Sequence, residues 1–361
     1  MGAEMRTFAS VRIPTAAAIV LTLFVPLVDA EACTRMFWNT NGQVMLVGRN
    51  MDLNIDEQPT FYVFPKGIRK TGGVDVNPAK WTSRLGSLVL TGFASSTVTY
   101  EGINTAGLCF HALHLGGTQL ENRDVNRPGV LQLRLGEYLL DNAASVSEAL
   151  TLMSQTQVVQ ELVYGSPSPN HYSLEDASGD AAIIEFVGGV MNVYHGARYT
   201  TLTNDPPLPQ MPNLSDYQYL GGSLPLPGDL DSASRFVRAS AFLSTLDAAF
   251  SNPPTPTAVD AMFSAIRSIM EPFGAKMPYE GSIVPAWPTL WTAVSDLTNK
   301  AVYFNHYMAR NNFWIDMRKL DFRKGAPVLL LKAYRPNLAG EVSRLFTRPA
   351  KRSIHLGWLS D

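Results

Sequence analysis

Alternating apolar positions in this chain fall into blocks separated by helical stretches, and that order restricts the fold more than any other feature. Cys33–Trp38 and Gln43–Arg49 alternate around Asn39-Thr-Asn-Gly42, a composition that closes β-hairpins. Phe61–Phe64, Ser87–Thr91 and Leu108–Leu115 read as further strands. A helical stretch follows at Val130–Asn142 and Ser145–Met153, with Ser145 as N-cap and Glu148 completing a capping box. Strands are expected again at His171–Asp176, Ala181–Val187 and Met191–Tyr194, linked by Ser178-Gly179 and Gly188-Gly189 turns. A Pro-rich irregular region runs from Asp205 to Gly228. Helices are expected at Ser234–Phe250 and Thr257–Met270, and strands at Thr289–Asp296, Ala301–Tyr307 and Phe313–Asp316. Strands in blocks and helices in blocks predict stacked layers rather than a parallel βαβ sheet. The opening hairpin would place Cys33 at a sheet edge or end.

The N-terminus carries a different pattern. Arg6 and Arg12 precede an apolar run from Thr15 to Val28, which ends at Ala30-Glu31-Ala32, a small-x-small cleavage signature. The run is short of the roughly 20 residues that span a bilayer, and Pro14 and Pro26 bracket it. Residues 1–32 are therefore expected to be a signal peptide and residues 33–361 a single domain, periplasmic or secreted, with no membrane insertion after processing; a buried N-terminal helix is the alternative. The formal net charge of −2 gives no electrostatic reason to expect nucleic acid or an anionic membrane as partner.

Cysteine usage sharpens the question. Cys33 and Cys109 are the only two. Cys109 sits in a β-like apolar run, where a free cysteine behaves as a small buried hydrophobe; a Cys33–Cys109 disulfide is the other reading. Cys33 directly follows the cleavage signature, so processing there would leave a thiol and a free α-amine on one residue. Such an amine, with a pKa of about 7.7–8.0, takes the thiol proton and later returns it to a leaving amine. Two other readings stay open: an acylated lipoprotein cysteine, although Ala30 stands where that signal wants Leu, and cleavage after Ala30 with Glu31-Ala32 as an extension.

Cys33 followed by Gly48-Arg49-Asn50-Met51-Asp52 resembles the opening of the penicillin V acylase and bile salt hydrolase family, the choloylglycine hydrolases of the N-terminal nucleophile superfamily. The resemblance continues in order through Glu101-Gly-Ile-Asn-Thr-Ala-Gly-Leu108, Leu202-Thr-Asn-Asp-Pro206, Pro227-Gly-Asp-Leu-Asp-Ser-Ala-Ser-Arg-Phe-Val-Arg238 and Trp291-Thr-Ala-Val with Tyr303-Phe-Asn305. It implies an α+β fold, a four-layer αββα sandwich with antiparallel sheets, commonly assembled as a homotetramer and needing no cofactor. It implies Cys33 as nucleophile, Arg49 as a cation beside the thiol that lowers its pKa, and Asp52 as the acid that orients the α-amine. Asn204 matches an oxyanion donor, Arg235 a second active-site arginine, and His114 a second oxyanion donor through its backbone N–H.

Each residue also has an ordinary reading. Arg49 and Asp52 could form a surface ion pair, Asn204 a turn before Asp-Pro-Pro, and Arg235 with Arg238 a solvated helix face. His111 and His114 could suggest a metal pair, but their spacing on a strand turns them to opposite faces and no nearby third ligand is evident. The aromatic residues Trp38, Phe93, Trp287 and Trp291 could line an acyl pocket, though core packing is the plainer reading.

The resemblance implies hydrolysis of a small-molecule N-acyl amide through a thioester acyl-enzyme. The signal peptide and His114 look like the Gram-negative branch, which favours penicillin V and N-acyl homoserine lactones. Conjugated bile salts are the alternative substrates, and a non-catalytic secreted binding protein or lipoprotein of the same fold is the second alternative. The segment from Arg318 to Asp361 lies largely beyond these motifs and is poorly patterned.

Overall fold

The computed structural model describes residues 32–93, 98–163, 166–279 and 282–350, so all but the last residue of the expected signal peptide 1–32 lies outside the described residues. The opening hairpin joins β1 (Ala32–Trp38) to β2 (Leu46–Asp52). Next come β3 (Thr60–Phe64), β4 (Ser87–Thr91), β5 (Thr99–Asn104) and β6 (Cys109–His114). Helices α1 (Leu135–Asn142) and α2 (Val146–Gln155) separate these from β7 (Asn170–Glu175), β8 (Ala181–Val187), β9 (Val190–His195) and β10 (Thr201–Leu202). Helices α3 (Ser232–Ala249) and α4 (Thr255–Arg267) precede β11 (Thr289–Asp296), β12 (Ala301–His306) and β13 (Phe313–Asp316). The tail adds β14 (Leu329–Lys332) and β15 (Gly340–Glu341).

These strands make a seven-stranded sheet, β10-β1-β2-β11-β12-β13-β15, and an eight-stranded sheet, β9-β8-β7-β6-β5-β4-β3-β14. Neighbours are antiparallel except β13 and β15. Side-chain alternation gives each sheet two apolar faces, and three apolar clusters fill the resulting spaces. Phe37, Val47 and Met51 of the first sheet meet Val63, Leu88 and Ile103 of the second between the sheets. Met36, Trp38 and Leu46 face the other way, onto Leu243, Met262 and Ile266 of α3 and α4. Val89, Phe110 and Tyr172 meet Leu135, Leu139 and Met153 of α1 and α2. The order of layers is therefore α-β-β-α.

Local chemistry accounts for most boundaries. Ser145 Oγ accepts from Glu148 N at 3.2 Å as the expected N-cap of α2, while the Glu148 carboxylate accepts from Ala144 N at 3.1 Å, one residue before the cap that a capping box would use. Helix α3 begins at Ser232, earlier than expected, because Asp231 is the residue that caps it, accepting from Ser234 N at 2.9 Å. The helix expected over Val130–Asn142 forms only from Leu135. Its first residues are extended, because Gly129 and Leu131 are hydrogen-bonded to Asn77, Ala79 and Gly72 and no longer have those groups for a helix. The tail is no appendage: β14 pairs with β3 and β15 with β13, extending both sheets.

Gly48 shows how close the layers lie. A Cβ there would stand 3.1 Å from Met262 Sδ and 3.2 Å from Ile266 Cβ on α4. Gly48→Val is expected to push α4 off β2 and destabilise the fold by about 1–3 kcal/mol, the usual range for overpacking. Urea unfolding followed by far-UV circular dichroism checks this, and an unchanged midpoint would contradict the close packing of these layers.

Candidate active site

The register of the opening hairpin distributes the expected residues over two faces of one sheet. Cys33 stands opposite Met51, Thr34 opposite Asn50, and Arg35 opposite Arg49. Odd-numbered residues of both strands point between the sheets, so Cys33, Arg35, Arg49 and Met51 share that space. Asp52 faces the helices. Because β10 pairs only with Arg35 and Met36, Cys33 lies at the end of the sheet. Arg49 and Asp52 are both fully buried and on opposite faces, so they are not a surface ion pair.

The Cys33 thiol is buried, 3.7 Å from Met51 Sδ. Burial pushes it above the ordinary thiol range, Arg49 draws it down by charge and hydrogen bond, and Asp52 adds to the rise. The net direction is upward. Expecting Arg49 to hold the thiol low therefore considered only one of two opposing effects, and desolvation is the larger. The Arg49 guanidinium reaches across to the second sheet, donating to Ala112 O at 2.9 Å, and also donates to Asn50 O at 2.8 Å.

The main chain of Cys33, still joined to Ala32, is held by two of the expected residues. Cys33 N donates to Asn204 Oδ1 at 2.5 Å, and Arg235 Nη1 donates to Cys33 O at 2.7 Å and to Thr34 Oγ1 at 2.8 Å. Arg235 Nη2 also donates to Asn204 Oδ1 at 3.0 Å. Asn204 Nδ2 donates to His114 O at 2.9 Å, which brings the His114 main chain into the same cluster. The turn carrying Asn204 is pinned on both sides. Its backbone N–H donates to Ser232 Oγ at 2.8 Å at the start of α3, and Asp205 accepts from Gly116 N at 3.0 Å. Arg235 is buried, not a solvated face, whereas Arg238 is only half-buried and donates to Pro227 O and Asp229 O.

Two residues of this cluster carried no recognisable signal in the sequence. Glu271 lies 3.2 Å from Arg235 Nε, while Asp52 lies 3.9 Å from Arg235 Nη1. Thr289 Oγ1 donates to Asp52 Oδ1 and accepts from Glu271 N, linking the two acids. Burial raises Asp52 to about 6, opposed by Arg235, Thr289 and Arg49. It raises Glu271 to about 8, opposed by Arg235 and reinforced by Asp52. One guanidinium between two buried carboxylates favours keeping a proton on one of them. Glu271 sits in an ordinary Met270-Glu-Pro272 stretch after α4, and only the fold brings it to Arg235.

The cysteines are both free, so no disulfide joins Cys33 to Cys109. Strand alternation puts His111 on the inter-sheet face of β6 with Cys109 and Leu113, and His114 on the face of Phe110 and Ala112. Around His111 alone, however, Cys109 and Glu175 complete a group whose ligand atoms lie within 4.8 Å of one another, a juxtaposition invisible in the sequence. Arg35 occupies the other oxygen of Glu175 at 2.9 Å. Of the aromatic residues, Trp38 and Trp291 are buried, with indole N–H groups on Asp247 at 2.7 Å and Glu57 at 2.5 Å. Trp287 is buried in the inter-sheet core and Phe93 packs against it.

The arrangement matches known proteins over most of its length. The family described as linear amide C–N hydrolases, choloylglycine hydrolase family, matches residues 33–329. Penicillin V acylase of Pectobacterium atrosepticum is 30% identical over 315 residues, covering 81% of this chain and 82% of that protein. The bile salt hydrolase/transferase of Lactiplantibacillus plantarum is 26% identical over 225 residues, covering 54% and 66%. The structure of penicillin V acylase from Agrobacterium tumefaciens has a TM-score of 0.77 at 31% identity, covering 88% of this chain and 98% of that one. A variant of conjugated bile acid hydrolase from Clostridium perfringens shares the fold, with a TM-score of 0.70 at 21% identity over 85% of this chain and 98% of that one. This chain belongs to the choloylglycine hydrolase family and is a linear amide C–N hydrolase with the N-terminal nucleophile fold.

Proposed function

We propose that the enzyme is an acylase of the penicillin V and N-acyl homoserine lactone type, with Cys33 as nucleophile after removal of residues 1–32. The remaining 33–361 act as one catalytic domain, periplasmic or secreted, commonly assembled as a homotetramer. The observation that carries this reading is the grip of Asn204 and Arg235 on the Cys33 main chain, with Arg49 at its thiol and Asp52 beyond Arg235. That constellation fits a residue whose own amine and sulfur both react.

In this reading the free α-amine, in place of the peptide nitrogen, is oriented by Asn204 Oδ1 and the Asp52 carboxylate. It takes the thiol proton as sulfur bonds to the substrate carbonyl carbon. The negative charge that develops on the carbonyl oxygen is met by Asn204 Nδ2 and the His114 backbone N–H, and one such donor is worth about 2.7–4 kcal/mol. Collapse of the tetrahedral species breaks the C–N bond, the proton passes to the leaving amine, and a thioester remains. Water then attacks the thioester, its proton returns through the amine to sulfur, and the acid is released. Arg49 favours the thiolate against the burial that opposes it. Relatedness to penicillin V acylases at about 30% identity over more than four-fifths of the chain favours an aromatic or aliphatic acyl group. Conjugated bile salts are the second reading, supported by the more distant bile salt hydrolase/transferase.

Three outcomes follow from this mechanism. Mass analysis of the secreted protein should give Cys33 as a free first residue, and a stable Glu31 terminus or an acylated Cys33 would sink it. Cys33→Ala should abolish amide hydrolysis with unfolding unchanged, and phenoxyacetate release from penicillin V should exceed taurine release from taurocholate. Faster turnover of taurocholate would favour the bile salt reading. The third concerns pH: log kcat/KM should rise with unit slope toward the amine pKa of about 7.7–8.0. It should steepen below about 6, where Asp52 gains a proton and no longer orients the amine. Asp52→Asn should remove the steepening and lower the plateau by about 100-fold, within the range for proton-transfer groups.

A further inference from the structure

A chain of buried charges, none of them used above except Arg49, runs through the inter-sheet space. Arg35 and Arg49 stand side by side on the first sheet, being register partners on β1 and β2. On the facing sheet Glu101, His111 and Ser173 lie in one row across β5, β6 and β7, with Glu175 beside Cys109. All these charged groups are buried. Two neighbouring cations thus face two carboxylates, with a histidine between the acids.

The contacts alternate in sign. Arg35 Nη2 lies 2.9 Å from Glu175 Oε1, and Glu175 Oε2 lies 3.1 Å from His111 Nε2. His111 Nδ1 lies 3.5 Å from Glu101 Oε2, and that oxygen lies 3.8 Å from Arg49 Nε. Glu101 Oε2 and Arg49 Nε take no hydrogen bond, so charge is what relates them. Cys109 Sγ completes the surroundings of His111 at 3.2 Å, and Arg35 is fixed at its far side by Ser173 Oγ and Tyr199 O.

We propose that His111 is a positioning residue, its bridge between Glu101 and Glu175 keeping Glu101 off the Arg49 guanidinium and so leaving that cation to the Cys33 thiol. This rests on Arg49 acting on Cys33. Burial disfavours an imidazolium, and Cys109, Glu175 and Glu101 together overcome it, so His111 stays charged well above its ordinary range. Burial pushes the Cys109 thiol up, opposed by His111. Burial alone would raise Glu175, but Arg35 and His111 bring it below its usual value. Charged His111 draws Glu101 away from Arg49 and leaves more of that guanidinium's field for the sulfur. Without it, Glu101 would close on Arg49 and weaken its hold on the thiol.

Two substitutions should therefore act with opposite sign on the same observable. Alkylation of Cys33 by iodoacetamide across pH, read by mass spectrometry of the N-terminal peptide of the secreted protein, gives the apparent thiol pKa. Glu101→Gln should lower it and His111→Gln raise it, each by about half a unit, as expected for a charge acting across one intervening group. Because His111 acts through Glu101, the double variant should stay close to Glu101→Gln alone, whereas a return to the parent value would show two independent charges and overturn the bridge. Shifts of the same sign, or none, would overturn the proposal, since a purely structural role has no reason to reverse sign. If His111→Gln does not fold, Glu101→Gln decides alone: an unchanged or raised value contradicts the bridge. The readout needs no amide turnover, so failure of this proposal is distinguishable from failure of the acylase reading.

Discussion

The register of the β1–β2 hairpin is the constraint on which the site depends. Strand side chains alternate with a period of two, so a slip of one residue would turn Cys33 and Arg49 toward the helices and Asp52 toward the second sheet. Three packing choices oppose such a slip. Phe37, Val47 and Met51 fill the inter-sheet core, Met36, Trp38 and Leu46 fill the space under α3 and α4, and Gly48 leaves room for α4 to approach. Apolar packing on both faces thus fixes the position of polar groups that would not choose this environment by themselves.

Those polar groups are costly to bury. An unpaired ion in the interior carries a penalty of several kcal/mol, and breaking a buried pair typically costs about 3–5 kcal/mol. The fold meets this in two different ways. Between the sheets it interleaves Arg35, His111 and Arg49 with Glu175 and Glu101, so that each cation has a carboxylate neighbour. On the helix side it sets one cation, Arg235, against two acids, Asp52 and Glu271, and burial that this cation does not offset raises both carboxylates. The first arrangement holds charges in place. The second holds a titratable proton close to the Cys33 main chain.

Much of the layer order was legible because it depends on local pattern. The runs Ser87–Thr91, Ala181–Val187 and Thr289–Asp296 alternate or stay apolar between turn residues, and their ends coincide with the strands. Val130 and Leu131, expected as helical, are extended because the backbone partners of Gly129 and Leu131, namely Gly72, Asn77 and Ala79, lie far away in sequence. The site divides in the same way. Cys33, Arg49, Asp52, His114, Asn204 and Arg235 were accessible through ordered motifs, and the fold gathers Asn204, Arg235 and the His114 main chain around Cys33, with Arg49 at its thiol and Asp52 beside Arg235. Glu271, Thr289 and the Glu101–His111–Glu175 row come together only through sheet pairing and helix packing, and no spacing in the chain announces them. The direction of the thiol's shift was hidden too, since burial is a property of the folded whole.

That direction bears on which group removes the proton. A thiol raised by burial is not a resting thiolate, so attack on an amide needs an acceptor at the moment sulfur bonds to carbon. Arg49 stands closest in role but has no lone pair to offer, being always protonated. Asp52 is anionic enough at neutral pH, yet it lies on the helix side of the strand, while the sulfur points between the sheets. The one group that belongs to both faces is the nitrogen of Cys33 itself, in the strand backbone between them. While Ala32 remains attached, that nitrogen is an amide with no basicity and its hydrogen is committed to Asn204. Freed, it becomes a base of nearly neutral pKa held by the same oxygen, two bonds away from the carbon that carries the sulfur. The site's chemistry, on this reading, is complete except for a change in one nitrogen.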